Sequence, residues 1–251
     1  MEQLMYPHRR GNIGATEGCD LMCIYCQTSF QKVLKKFAKH DEDITFTPHL
    51  HLSRLNKKPP KTEGKQYVTI GLTGDISFAP ESAIPQIIEY CKGWLGRTTF
   101  MLQSKNPAFF LKYKFPPNVI LATTIESNET TWYSSHNLTL PRSIVRYSEL
   151  SKAPPPEERL MAMLGLMVRD TNPLMVTIEP ILDFHHETLV TWMMSLNEKG
   201  KLIAINIGYD SSPETNMLPE PRLVETERLI EDRKAITEVR TKLLRKAWWE
   251  A

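Results

Sequence analysis

Tyr67-Val68-Thr69-Ile70-Gly71-Leu72-Thr73, followed at once by Gly74-Asp75, is the stretch on which the reading of the fold turns. A run of apolar and β-branched residues closed by a glycine and an acid describes a buried strand that ends in a polar loop. Pro80 then marks the start of a helical run over Glu81 to Leu95. Strand, polar loop and helix in that order are one βα unit, and the rest of the chain repeats it.

Working outward, Thr98 to Leu102, Val119 to Thr124, Leu174 to Ile178 and Leu202 to Ile207 read as further buried strands, and a first strand is expected around Asn12 to Thr16. Helical spacing connects them over Thr28 to Lys39, Glu157 to Arg169 behind Pro154-Pro155-Pro156, and Glu187 to Glu198 before Gly200. Asn106 to Tyr113 is at best a short helix, and the charged tail from about 222 to 249 reads as a long amphipathic helix. Such alternation predicts an α/β fold with a parallel sheet and right-handed crossovers. About six units are too few for an eight-fold barrel, so the expectation is a partial (βα)6 barrel with long loops. It forms a single domain over residues 1–251, with the C-terminal helix packed on it. Ligands of parallel α/β sheets sit at the carboxyl ends of the strands. Two long polar stretches, His40 to Gly64 and Thr130 to Pro156, are candidates for functional loops.

The bulk numbers set bounds. The 251 residues are 41% hydrophobic, enough for a sizeable core. With 31 basic and 29 acidic residues, the net charge of +2 neither announces nor excludes a nucleic-acid partner. No apolar run is long enough for a membrane span, and the N-terminus lacks the apolar core of a signal peptide, so a cytoplasmic, reducing location is expected.

Three of the four cysteines lie within Gly18-Cys19-Asp20-Leu21-Met22-Cys23-Ile24-Tyr25-Cys26. In a reducing compartment that crowding reads as metal-binding or catalytic rather than as disulfides. Three thiolates on one short loop can hold three corners of a 4Fe–4S cubane and leave the fourth iron open to the amino and carboxylate groups of a methionine moiety. A structural zinc site would need a fourth ligand from elsewhere, such as His8 or His40, and no second cysteine pair supplies one. A redox pair of Cys23 and Cys26 would leave Cys19 unexplained. Cys91 lies in an apolar helix and reads as a small core residue, as do Met161, Met163 and Met167; His185-His186 reads as a polar loop.

The C-x3-C-x2-C spacing, the aromatic Tyr25 before the last cysteine and the place after a first strand resemble the signature of the radical S-adenosylmethionine (SAM) superfamily, and the wider pattern follows it over nearly the whole chain. Gln103-Ser104-Lys105-Asn106-Pro107, Phe115-Pro116-Pro117-Asn118-Val119-Ile120-Leu121 and Ile178-Glu179-Pro180-Ile181-Leu182 are similar to segments of a family of small radical SAM proteins from phages, bacteria and archaea. The resemblance implies a partial radical SAM barrel in which Cys19, Cys23 and Cys26 hold the 4Fe–4S cluster. It implies reductive cleavage of SAM to a 5′-deoxyadenosyl radical that abstracts a substrate hydrogen, with electrons from a flavodoxin- or ferredoxin-like donor.

For SAM itself the resemblance points to Tyr25, Gly74, Asp75, Lys105, Thr124, Glu126 and Asn206. Thr73-Gly74-Asp75 stands where the superfamily carries a Gly-Gly-Glu-like motif, departing from it by one glycine and by Asp for Glu. Asp75 could equally belong to a helix cap, and Lys105 to the surface. Glu179, Tyr209 and Asp210 fall at strand ends where substrate would lie. A modified nucleobase or nucleotide, free or in DNA or RNA, is the expected substrate, undergoing isomerisation, modification or lesion cleavage. The basic loop Arg54 to Lys61 would hold phosphates, and Trp132 and Tyr133 would stack a base. A small metabolite or peptide stays open, as does a different class altogether: a non-catalytic, zinc-stabilised nucleic-acid-binding protein.

Overall fold

The structure, a computed structural model, describes residues 8–26, 46–71, 73–133, 144–210 and 218–241. The helix expected over Thr28 to Lys39 lies outside the described residues.

A sheet of seven parallel strands forms the frame, in chain order from one edge to the other. They are β1 (Arg9–Asn12), β2 (Tyr67–Thr69), β3 (Phe100–Gln103), β4 (Val119–Thr124), β5 (Leu174–Ile178), β6 (Leu202–Ile207) and β7 (Glu238–Thr241). Helices α1 (Ile84–Gly93), α2 (Tyr147–Leu150), α3 (Pro156–Arg169), α4 (His186–Leu196) and α5 (Leu223–Lys234) lie between the strands in sequence. Among the described residues, no helix is long and apolar enough to cross a membrane.

The two faces of the sheet differ. Val68, Phe100, Leu102, Leu121, Val176 and Ile205 point to the face covered by the helices, where they meet Ile87 of α1, Leu160 and Met163 of α3, and Leu189 and Met193 of α4. Each such side chain contributes about 1.5–3 kcal/mol when taken fully out of water, which keeps the helices on this face. The alternate residues Tyr67, Met101, Ile120, Ala122, Met175 and Ala204 form a separate cluster on the inner face. A sheet whose helices all lie on one side curls away from them. Here the curl brings the edges together, since His8 Nε2, just before β1, lies 3.2 Å from Glu238 Oε1 of β7, and Lys65 Nζ lies 2.6 Å from Glu238 Oε2.

The partial barrel matches the expected α/β class, with three differences of detail. A seventh strand exists because α5 stops at Lys234 and the β-branched run that follows it pairs in parallel with β6, Ala204 beside Glu238 and Ile205 beside Val239. The long helix over about 222–249 is therefore shorter than expected, and Trp248-Trp249 lie outside the described residues. The first strand runs over Arg9–Asn12, while Thr16–Glu17 pairs antiparallel with His49–Leu50. Met161 is 61% exposed, unlike Met163 and Met167, because two residues along a helix turn the side chain by about 200° to the far side.

The stretch after Thr130 is not an open loop. Thr131–Tyr133 and Ile144–Arg146 pair antiparallel and lead into α2. Trp132, Tyr147, Leu150 and Ala153 form a second small core with Leu21, Cys23 and Tyr25 of the cysteine segment.

Candidate active site

All the strands run the same way, so the segments that follow β1 to β6 gather at one rim. The cysteine segment is docked there by its backbone. Gly18 bridges Gly74 in parallel, Gly18 N donates to Thr73 O at 3.2 Å, and Asp75 N donates to Gly18 O at 3.1 Å. The approach requires glycine on both sides. A Cβ on Gly74 would come within 2.6 Å of Gly18 O, and one on Gly18, whose φ is +79°, within 2.2 Å of Thr47 O. From the other side, Lys152 N donates to Leu21 O at 2.7 Å.

Cys23 is buried, and Cys19 and Cys26 are half-buried. The Cys23 thiol has Ser151 Oγ at 3.0 Å and Lys105 Nζ at 3.6 Å. A hydrogen bond from Cys26, then the Lys105 ammonium and Ser151, lower the Cys23 pKa despite its burial. These groups favour the thiolate, the form that binds metal. Partial burial, then the nearby Asp75 carboxylate, pushes Cys19 up to about 12.

Lys105 is the hub of a buried charge network. Its ammonium lies 4.2 Å from the centre of the Tyr25 ring, donates to Tyr25 OH, and donates to Glu126 Oε1 at 2.8 Å. Tyr25 OH donates in turn to the same carboxylate. Arg159 of α3 reaches the other oxygen, Glu126 Oε2, at 2.7 Å, donates to Thr124 O, and donates to Tyr147 OH at 2.6 Å. Glu126 and Arg159 are both wholly buried. Burial alone would raise the Glu126 pKa, but Arg159 and Lys105 outweigh it and hold the carboxyl at about 2. Burial likewise works against the charge on Lys105, and Cys23 and Glu126 reverse it, leaving the ammonium above its ordinary range.

Asp75 accepts four hydrogen bonds within the chain: from Ser77 N and Ser77 Oγ, from Ser104 Oγ at 2.6 Å and from Lys105 N at 2.7 Å. Three of these bonds fall on Oδ1 and one, from Lys105 N, on Oδ2, which keeps an acceptor site. The side chain caps the turn Ile76–Phe78 and ties the segment after β2 to the segment after β3.

Farther along the rim the inner face changes character. Ala122, Met175 and Ala204 stand in register across β4, β5 and β6, and one pleat nearer the carboxyl ends the register row is Thr124, Thr177 and Asn206. An apolar layer thus gives way to a polar one. Thr177 and Asn206 are each 1% exposed, and Thr177 Oγ1 and Asn206 Oδ1 are buried with no hydrogen-bond partner among the described residues. Buried polar atoms left in this condition are costly, and a polar ligand at the barrel mouth would satisfy them.

The structure therefore brings Cys19, Cys23, Cys26, Tyr25, Gly74, Asp75, Lys105, Thr124 and Glu126 into one contiguous cluster, with Asn206 on the same inner row as Thr124. Glu179, half-buried, packs over Gly208, whose added Cβ would lie 2.7 Å from its carboxyl carbon; Tyr209 and Asp210 follow at the same end of β6. Arg159, Tyr147, Ser151, Ser104 and Thr177 are further members that motif reading does not reach. Trp132 is a correction. It is 4% exposed and its indole N–H donates to Asp183 O at 2.9 Å, so it is part of the small core and is not presented for stacking. In the basic loop, Arg54 is occupied by Glu17, while Lys57 and Lys58 are exposed.

No protein-family model and no curated protein matches the chain. Two solved structures of Streptococcus suis SuiB, one bound to the precursor peptide SuiA and one bound to S-adenosylmethionine, are similar to it at 12% identity, with TM-scores of 0.49 and 0.48. The match covers 96% of this chain and 50% and 51% of those chains, so the chain spans about half the length of the structures it matches.

Proposed function

We propose that the chain is a radical SAM enzyme whose Cys19, Cys23 and Cys26 hold a 4Fe–4S cluster at the barrel rim. The observation that carries this reading is the docking of the cysteine segment beside Gly74 and under Lys105, which sets three thiols at the carboxyl edge of a curled parallel sheet, where such folds bind ligands. The donor set fits the group: three cysteine sulfurs packed beside Leu21, Tyr25 and Trp132, that of Cys23 stabilised as thiolate, and orphaned polar atoms on Thr177 and Asn206 for the cofactor beside it.

When bound, the cluster supplies the electron for reductive cleavage of the SAM sulfonium, yielding methionine and a 5′-deoxyadenosyl radical that takes a hydrogen atom from the substrate. The chain's own residues do the rest. Lys105 holds positive charge next to the Cys23 sulfur, and Glu126, fixed by Arg159, holds Lys105. Thr124, Thr177 and Asn206 offer hydrogen bonds to the polar groups of SAM. The small core around Trp132, Tyr147 and Leu150 shields the cysteine segment from water, which protects a radical from side reactions. Glu179, Tyr209 and Asp210 would meet the substrate.

For the substrate we favour a modified nucleobase or nucleotide, free or in DNA or RNA. The support is the exposed pair Lys57 and Lys58, suited to phosphate, together with the family resemblance. Electrons would come from a flavodoxin- or ferredoxin-like donor in the cytoplasm. The test is product analysis of the anaerobically reconstituted full chain with dithionite and SAM. Formation of 5′-deoxyadenosine that disappears in Cys23→Ala is expected. Colourless protein holding zinc on its cysteines, with SAM left intact, would support the non-catalytic alternative and overturn the proposal.

A further inference from the structure

Beside the cysteine segment lies a second set of metal-type ligands that the radical chemistry does not use. Thr16–Glu17 and His49–Leu50 form a short antiparallel ladder in which Glu17 stands directly opposite His49. His49 lies on this strand and His51 follows it by two residues, with their ring centroids 4.9 Å apart. Glu17 Oε2 lies 3.7 Å from His49 Nε2 and 3.9 Å from His51 Nε2, and the three ligand atoms all lie within 4.8 Å of one another. Among the described residues this is the one group of three His, Cys, Asp or Glu side chains so gathered.

The surroundings orient these atoms as a metal site would. His49 Nδ1 is 2.7 Å from Thr47 O, and a carbonyl only accepts, so Nδ1 is the donor there and Nε2 is the nitrogen on the side of Glu17. A backbone carbonyl behind the distal nitrogen is the usual support of a metal-bound histidine. Arg54 Nη1 holds Glu17 Oε1 and donates to Gly14 O at 2.7 Å, which leaves Oε2 turned toward the two imidazoles. The spacing fits a shared ion. Both His–Glu separations exceed the ~2.7–3.2 Å of an N–H···O bond. They lie near the ~3.4 Å edge of a tetrahedron of N and O ligands about 2.1 Å from a central ion.

We infer that Glu17, His49 and His51 form a binding site for a divalent cation of the zinc class, separate from the cluster ligands. Two imidazoles and one carboxylate are a zinc set with a fourth position left to water. The ion would clip the strand His49–Leu50 to the segment that leads into Cys19, where Cys19 N already bonds Phe46 O at 3.0 Å.

The test is titration of the metal-stripped full chain with Co²⁺, read by visible absorption, in three proteins: the parent, Cys19→Ala/Cys23→Ala/Cys26→Ala, and His49→Ala/His51→Ala. The cysteine variant should bind one cobalt ion with ligand-field bands and no thiolate-to-cobalt charge transfer, and its thermal midpoint should rise on binding. The histidine variant should lose that species and keep any thiolate-bound cobalt. Cobalt binding without thiolate character that is the same in the parent and in the histidine variant would overturn the inference, as would its absence from a folded cysteine variant. Should the cysteine variant fail to fold, Glu17→Gln in the otherwise intact chain decides: a weakening of the non-thiolate species by about tenfold or more is expected, and unchanged affinity contradicts the site. The radical SAM reading depends on the cysteines and this one on the histidines, so either can fail without the other.

Discussion

The two faces of the sheet are made from the same strands yet obey different rules. On the helix-covered face Val68, Phe100, Leu121, Val176 and Ile205 are apolar, and Thr123, in register with Val176, is satisfied by donating its hydroxyl to Ser104 O at 2.7 Å. On the inner face the apolar row Ala122–Met175–Ala204 is followed by the polar row Thr124–Thr177–Asn206, and beyond it lies the fully buried Glu126–Arg159 pair. The first face serves stability. The second carries polar groups that stability alone would not place there. The candidate site therefore begins at the level where the inner face stops being apolar.

The comparison can be broken at several points. The largest effect is expected for Arg159→Met, which removes the cation on Oε2 of the wholly buried Glu126 and leaves Lys105 alone to balance the carboxylate. A loss of about 3–5 kcal/mol is predicted by urea unfolding, together with loss of SAM binding as Lys105 and Tyr25 rearrange. Leu121→Ala, on the helix-covered face, should cost about 2–5 kcal/mol through its cavity while leaving the affinity of the remaining folded protein for SAM unchanged. If Leu121→Ala instead weakened SAM binding, the division between the faces would not hold. Thr177→Val removes a buried hydroxyl that has no partner among the described residues, keeping the shape. Its stability should hold or rise by about 1 kcal/mol, measured by denaturation, while SAM affinity measured by calorimetry falls.

The smallest effect is one of pH. Glu126 is held at about 2 against an ordinary value of 4.5. A depressed carboxylate stabilises the fold fully above its unfolded pKa, and that contribution is lost as pH falls from about 4.5 toward about 2. Glu126→Gln should therefore flatten the stability-against-pH curve in that window and leave its shape near neutrality unchanged.

The helix-covered face was readable in the chain because burial on both sides of a parallel strand makes apolar runs, and helix periodicity marks what lies over them. The crowding of three thiols in the cysteine segment was readable because Cys19, Cys23 and Cys26 are adjacent in sequence. Other parts were not. Thr177 is one hydroxyl inside Leu174–Ile178 and passes for an ordinary β-branched strand residue. Arg159 follows Glu157 and Glu158 in the first turns of α3 and reads as part of a solvated charged end; only the fold shows a carboxylate beneath it. Trp132 looked like a surface aromatic because its stretch is polar, and the hairpin that buries it depends on pairing across residues far apart in the chain. The strand β7 was hidden in a charged tail whose periodicity suits a helix up to Lys234 and whose strand character shows only beside β6. Glu17, His49 and His51 carry no motif, because a ladder rather than sequence spacing brings them together.

The most direct measurement of the central claim is the iron and acid-labile sulfide content of the anaerobically reconstituted full chain, beside the variant in which Cys19, Cys23 and Cys26 are all alanine. About four irons and four sulfides per chain are predicted for the parent, as a cubane held by three thiolates requires, and essentially none for the variant. Equal iron and sulfide in the two proteins would contradict the account.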